Sequence, residues 1–430
     1  MTVFIAVVAS SFALFSVALP AYANGRFPEA NQLVVDPADP GHLVVRTTFG
    51  ILRSFDAGAT WTWSCEEAVS PLGLLDEEIL ITSAGRTWVA LSDGIATADR
   101  QGCGWKRVSG DLVGQHVIDM VGDSQDRDAA YAALGVTVNS AMHGRIARTT
   151  DGASWSFVGG VLFGTVPLTI EIAPSRPQRL YLGVNDSNYE FGYIDVSDDA
   201  GLTWVRHDAP LGVDSVYVSG VDPQQADRVY VRKALSENTV YVSEDGAGTW
   251  KAIHSAARAL TGFALSPDGR SVAVGGEDGV TILAREDVGD GTSTFSAVAG
   301  AAITAKCLTW TDAGLFACAS ESPGADAFTI GLSVDDGKTF KALLRLPDLA
   351  PARCPEGTGV ANTCPGLWCQ LSATINATCP APALPSSGCG CAISGAPSTP
   401  LWQQMAAVVA VGTAVTALGW RRRRQRRRPL

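Results

Sequence analysis

The 430-residue chain carries 43 acidic and 32 basic residues, a formal net charge of −11, with 17% charged and 46% hydrophobic residues. That balance excludes wholesale disorder and leaves enough apolar material for a substantial core. Its 45 glycines and 22 prolines, with few long helix-forming runs, favour many short strands joined by turns.

Residues 1–23 read as a signal peptide. Positions 2–21 are apolar or small and lead into Ala21-Tyr22-Ala23, a small-x-small cleavage pattern that places the mature start near Asn24. An uncleaved membrane helix is the other reading of this segment.

The stretch Ser54-Phe55-Asp56-Ala57-Gly58-Ala59-Thr60-Trp61 returns as Ser197 to Trp204 and as Ser333 to Phe340. Looser copies end at Trp155, where the copy is one residue short around Asp151, and at Trp250, where Ala247 follows Asp245 and Gly246. Degenerate positions lie at Thr97 to Trp105 and Asp287 to Phe295. The closing aromatics are Trp61, Trp105, Trp155, Trp204, Trp250, Phe295 and Phe340, separated by 44, 50, 49, 46, 45 and 45 residues. Seven units follow, each with room for four short strands, the content of one propeller blade. In the first unit the expected strands are 32–35, 42–46, 50–55 and 60–65. The runs "VVDPADPGHLVV", "IEIAPSRPQRLYLGV" and "VSGVDPQQADRVYV" place a polar turn between two apolar segments and read as inner hairpins. Within the short motif, Ser or Thr and Asp accept backbone N–H bonds across a tight reversal. Gly supplies a positive φ, and the ring folds over the turn.

These residues resemble the Asp-box, or BNR-repeat, β-propellers over roughly residues 28–346. The resemblance implies an all-β, seven-bladed propeller of four-stranded blades, with the boxes on the outer rim. Asp56, Asp151, Asp199, Asp245 and Asp335, with Trp61, Trp155, Trp204, Trp250 and Phe340, are then structural residues. Function does not transfer with the fold. A sialidase needs an arginine triad, a Tyr/Glu nucleophile pair and an opening Arg-Ile-Pro stretch, to which only Gly25-Arg26-Phe27-Pro28 comes near. Xyloglucanase-like enzymes cleave in a groove between two seven-bladed propellers, and one propeller is counted here.

No other constellation indicates catalysis, a metal or a cofactor. His42, His116, His143, His207 and His254 are scattered singly, and neither HExxH, GxSxG nor a Walker-type loop occurs. The acidic stretches 123–128 and 286–295 match no calcium-loop spacing and read as solvated loops. Trp63, Trp88, Tyr189 and Tyr193 are candidates for sugar stacking if they line the top face, with core packing as the default.

Eight cysteines are expected to form disulfides in an exported chain. Cys307 and Cys318 flank a turn and suit a cross-strand bond; Cys65 and Cys103 suit a link between blades one and two. Cys354, Cys364, Cys369 and Cys379 lie in a segment, 347–380, read as a small stapled cap or stalk, with three connectivities open. A Pro/Ser linker over 381–400 carries Gly388-Cys389-Gly390-Cys391. An uncharged run over 401–420 and an arginine-rich tail over 421–430 follow. Sixteen residues of helix from Met405 reach only about 24 Å, a marginal membrane span. Its arginines are expected to stay cytoplasmic. These parts resemble the myxobacterial-type C-terminal sorting tail, which implies processing near Cys389 or Cys391 and anchorage at the outer surface. If the tail is removed, the net charge moves from −11 to −18 because seven arginines leave. The expectation is a surface-anchored, non-enzymatic binding module for a protein or a polysaccharide, without cofactor and without nucleic acid. An extracellular glycan-acting enzyme and an assembly or scaffolding factor are the alternatives.

Overall fold

In the computed structural model, residues 28–70, 78–82, 85–126, 128–210, 215–233, 238–288, 292–321, 324 and 326–379 are described. The chain divides into two units, Met1–Pro380 and Ala381–Leu430, and every described residue belongs to the first. The leader, the linker cysteines and the expected span 401–420 lie outside the described residues. Among the described residues, no helix is long and apolar enough to cross a membrane.

Seven antiparallel sheets follow one another along the chain. Their first strands are Ala30–Asp36, Ile79–Ile81, His116–Gly122, Thr165–Ile172, Val216–Val221, Leu260–Leu265 and Ala305–Thr311. Each pairs outward with three further strands, so the protein is a seven-bladed propeller of four-stranded blades. The second strands are nearly continuous apolar runs, such as Ala130–Leu134 and Leu180–Val184, because a neighbouring blade covers each of their faces. Outer strands such as Lys106–Arg107 are exposed and polar. Seven buried apolar clusters result, one at each junction between successive blades, including blade seven with blade one. The wheel is closed.

The recurring turns explain their own composition. Ser54 Oγ donates to Asp56 Oδ1 at 2.8 Å and accepts from Gly58 N at 2.8 Å. Asp56 accepts from Thr60 N at 2.8 Å and from its hydroxyl at 2.6 Å, and Trp61 Nε1 closes the turn on Gly58 O at 3.0 Å. Turns at Ser197, Ser243 and Ser333 repeat the Ser–Asp–Thr bonds. Two consecutive residues take positive φ, Ala57 at 56° with Gly58 at 90° and Ala200 at 60° with Gly201 at 88°. In the loose copy Ala247 itself occupies the left-handed position at 80°. The degenerate position at Asp287 is not such a turn. There the strands Gly279–Val288 and Thr292–Ala299 pair as a straight hairpin up to Val288 opposite Thr292. Ser197 is 1% exposed and holds three of the bonds in its turn, so Ser197→Ala is expected to cost about 1–2 kcal/mol in urea unfolding without changing the m-value.

Blade one draws all four of its antiparallel strands from residues 30–64, so no strand exchange locks the ring. Closure comes from elsewhere. Thr309 Oγ1 donates to Leu33 O at 2.7 Å and Trp61 Nε1 to Leu343 O at 3.1 Å. Beyond blade seven the chain returns along the outer edge of blade one, where Ala350–Pro351 pairs parallel with Thr62–Ser64. The helix Gly359–Thr374 then buries Val360, Cys364 and Trp368 against blade one, with Trp368 meeting Trp63 at 5.5 Å between ring centroids. The Cys-rich segment is therefore a cap on the wheel. Cys65 bonds Cys364, Cys103 bonds Cys354, Cys307 bonds Cys318 and Cys369 bonds Cys379. The expected link between Cys65 and Cys103 is corrected: both face the capping segment, and each is taken by one of its cysteines. Four disulfides fit folding in an oxidising compartment, as for an exported protein.

Candidate functional site

The first strands surround the axis and carry a repeated irregularity. In blades one, three, four, five, six and seven the ladder slips by one residue, at Asn31, Ile118, Leu168, Ser219, Thr261 and Lys306. A bulge of this kind re-aims the side chains around it. Consecutive residues such as Asn31-Gln32-Leu33 and Ile118-Asp119-Met120 therefore both line the axial cavity, which a strictly alternating strand forbids. The cavity has a volume of about 360 Å³ and receives side chains from all seven blades.

Three of those side chains are carboxylates from successive blades: Glu78, Asp119 and Glu171. Arg46 flanks this acidic arc on blade one and Arg232 on blade five. Gln32 positions Glu78. Its Nε2 donates both to Glu78 Oε1 and to Ile79 O, and its Oε1 accepts from Ile79 N at 2.9 Å. Asp119 accepts from Met120 N and, across the blade junction, from Ile170 N, both at 2.8 Å. The acids keep some accessible surface but are hemmed in by protein, and desolvation dominates their titration. Burial raises Glu78, opposed by the Arg46 charge. Burial, reinforced by the charges of Glu78 and Glu171, lifts Asp119 well above the usual carboxylate range. Burial and then Glu78 push Glu171 up to about 8. Three acids raised by burial and by one another's charge do not all ionise together, so a protonated and an ionised carboxyl group can stand side by side at one pH.

The residues singled out from sequence stand elsewhere. The Asp residues of the turns are fixed by their own hydrogen bonds, which hold Asp151 and Asp335 down to about 2. A rim cleft of about 530 Å³ between blades three and four contains Asp151 and Asp199, both already committed to those bonds. Trp63 and Trp88 are core residues, packed on Trp368 and Trp155. Tyr193 lies under Arg206, and Tyr189 is exposed. His42 is fully buried against Asp36 at 3.0 Å. Among the described residues, no group of three or more His, Cys, Asp or Glu is arranged to hold a metal. Sequence reading missed the axial acids. Their signal is a lone carboxylate inside an apolar first strand, as in "VIDMV" and "TIEIA".

These two kinds of acid impose opposite pH dependences. The turn carboxylates, held below the unfolded value of 3.8, contribute stability that is intact above that value and is lost as pH falls towards about 2. Glu171, raised above the unfolded value of 4.5, favours the fold below that value and loses its contribution as pH rises to about 8. The thermal midpoint is thus expected to peak near pH 4–5. Melting curves from pH 2 to 9 check this, and a maximum above pH 7 contradicts it.

No family model matches the chain. Over 208 residues it is 26% identical to a xyloglucanase of Hypocrea jecorina (strain QM6a), a match covering 40% of this chain and 23% of that protein. The chain thus spans about a quarter of that relative's length. Among solved structures it is similar to an ancestral GH74 enzyme, with 14% identity, 74% of this chain and 46% of that chain covered, and a TM-score of 0.53, a likeness of fold. A Niastella koreensis GH74 enzyme aligns over 73% of this chain and 62% of that chain, with 14% identity and a TM-score of 0.32. The expectation of a non-enzymatic recognition module is corrected by the similarity to a xyloglucanase, which favours the glycan-acting alternative.

Proposed function

We propose that this propeller is an exported glycan-acting enzyme whose site is the axial cavity. The observation that carries the reading is the convergence of Glu78, Asp119 and Glu171 from three successive blades. Glycoside cleavage needs one protonated and one ionised carboxyl group on either side of the scissile bond. Glu171, raised to about 8, supplies the proton donor at neutral pH. Glu78, oriented by Gln32 and facing the Arg46 charge, supplies the ionised base or nucleophile. A cavity of about 360 Å³ takes one or two sugar rings, so a chain end or a side branch is the part that enters. This differs from cleavage along a groove between two propellers.

The turn geometry supports assigning the repeats to the Asp-box kind, and the sorting-tail reading of residues 381–430 belongs to the same proposal. Intact-mass analysis of protein from its native host tests the tail: a mature form trimmed near Cys389 or Cys391 supports it, and an untrimmed C-terminus removes it. For the activity, purified protein is incubated with xyloglucan and with a panel of neutral and acidic polysaccharides, and new reducing ends are measured. Release from at least one polymer is expected. No release from any member of the panel overturns the reading.

A further inference from the structure

Arg232 lies on the second strand of blade five, paired with Tyr217, and lines the axial cavity. Its Nη1 donates to Leu260 O, and its guanidinium lies over the Tyr217 ring at 5.6 Å. Several other arginines of the wheel meet carboxylates, whereas Arg53, Arg145 and Arg148 lie over aromatic rings away from the axial cavity. Arg228 meets Asp222 at 3.0 Å, Arg206 meets Asp195 at 2.8 Å, and Arg179 meets Asp198 at 2.7 Å. No described carboxylate lies within ion-pair distance of Arg232. A guanidinium that stays charged in a confined site without a counter-ion is costly unless an anion arrives to meet it. Beside it on the same blade, at the bulge, Ser219 also lines the cavity, and its hydroxyl oxygen is buried with no hydrogen-bond partner among the described residues.

We infer that the sugar received by the axial cavity bears a carboxylate, bound by the Arg232 guanidinium with the Ser219 hydroxyl as a second donor. The inference rests on the reading of the cavity as the glycan site and specifies the substrate class.

The charges facing Arg232 around the wheel are consistent with this. Blade one presents Arg46, and blades two, three and four present Glu78, Asp119 and Glu171. Blade five adds Tyr217, while blades six and seven contribute Thr261, Phe263, Leu308 and Thr309, none of which carries charge. Burial raises all three acids, so the two guanidiniums, Arg46 and Arg232, are opposed by less negative charge than three exposed carboxylates would supply. A planar guanidinium also matches a carboxylate in bidentate geometry, which a hydroxyl of a neutral sugar does not reproduce.

Calorimetric titrations test this with a glucuronate-terminated oligosaccharide, sialyllactose and a neutral oligosaccharide of equal length. At least one carboxylate-bearing sugar is expected to bind tenfold or more tighter than the neutral one, with affinity falling as salt rises. Arg232→Met is expected to erase that preference, Arg232→Lys to retain part of it, and Ser219→Ala to weaken acidic-sugar binding several-fold in a variant with an unchanged core. Tighter binding of the neutral sugar, or an acidic-sugar affinity untouched by Arg232→Met and Ser219→Ala alike, overturns the inference and leaves the glycan reading standing. Binding of none of the sugars overturns both.

Discussion

Glu171→Gln is expected to lower glycan hydrolysis by 10²–10⁴-fold, on the order of what a positioned general acid contributes. The amide keeps the shape of the side chain and a donor, but it cannot deliver a proton to the leaving oxygen. The wild-type rate is expected to fall on the alkaline side as Glu171 loses its proton near pH 8. The variant is expected to lose that limb of the profile. Its stability moves the other way. With the buried acid gone, the cost that grows between pH 4.5 and about 8 disappears, so the variant should melt above the wild type at pH 8.5 and alongside it at pH 4. A variant that is inactive because it is unfolded fails that comparison, which separates a catalytic role from a structural one. Glu171→Gln with wild-type turnover removes Glu171 as the proton donor.

Replacing Cys65, Cys103, Cys354 and Cys364 together by serine should be the most damaging change to the fold. The bonds Cys65–Cys364 and Cys103–Cys354 span 299 and 251 residues and pin the cap to blades one and two. While one of them remains, loss of the other frees a loop of roughly 50 residues, worth about 4 kcal/mol in chain entropy. Loss of both frees nearly the whole wheel and adds about 5 kcal/mol, close to the entire stability of an ordinary domain. With no strand exchange at the ring junction, these bonds are the covalent reinforcement of a closure otherwise made by the apolar cluster and two hydrogen bonds between blades one and seven. Removal of one pair is expected to lower the midpoint by roughly 5–10 °C, and removal of both to leave little folded protein at 37 °C. All four positions are changed because Cys65 and Cys103, left alone, are free to find other partners. A fourfold variant melting within about 2 °C of the wild type contradicts this account of ring closure.

Blade number was legible because the rim turn needs particular chemistry at fixed places. Ser54, Asp56, Thr60 and Trp61 each make a bond that other residue types do not make, so the pattern survives at 44–50-residue spacing. Blade six was weakly legible since its outer hairpin runs straight and needs no such turn. The local Cys307–Cys318 bond was legible from the turn it flanks, but the partners of Cys65 and Cys103 were not, because they follow from where the helix Gly359–Thr374 docks, and that depends on the Trp63–Trp368 contact between residues far apart in sequence. The axial acids were hidden for a related reason. Asp119 is turned inward by a bulge rather than by strand alternation, and its neighbours Glu78 and Glu171 come from other blades, 41 and 52 residues away along the chain. A lone Asp within "VIDMV" carries local information about burial but none about the two carboxyl groups that make it chemically useful.

A crystal structure of Glu171→Gln soaked with the best-bound oligosaccharide shows whether the axial cavity is the glycan site. A sugar ring is expected within the axial cavity, in contact with Glu78 and Asp119. Sugar density confined to the rim cleft between blades three and four, or to the outer loops, with the axial cavity holding only water, contradicts it.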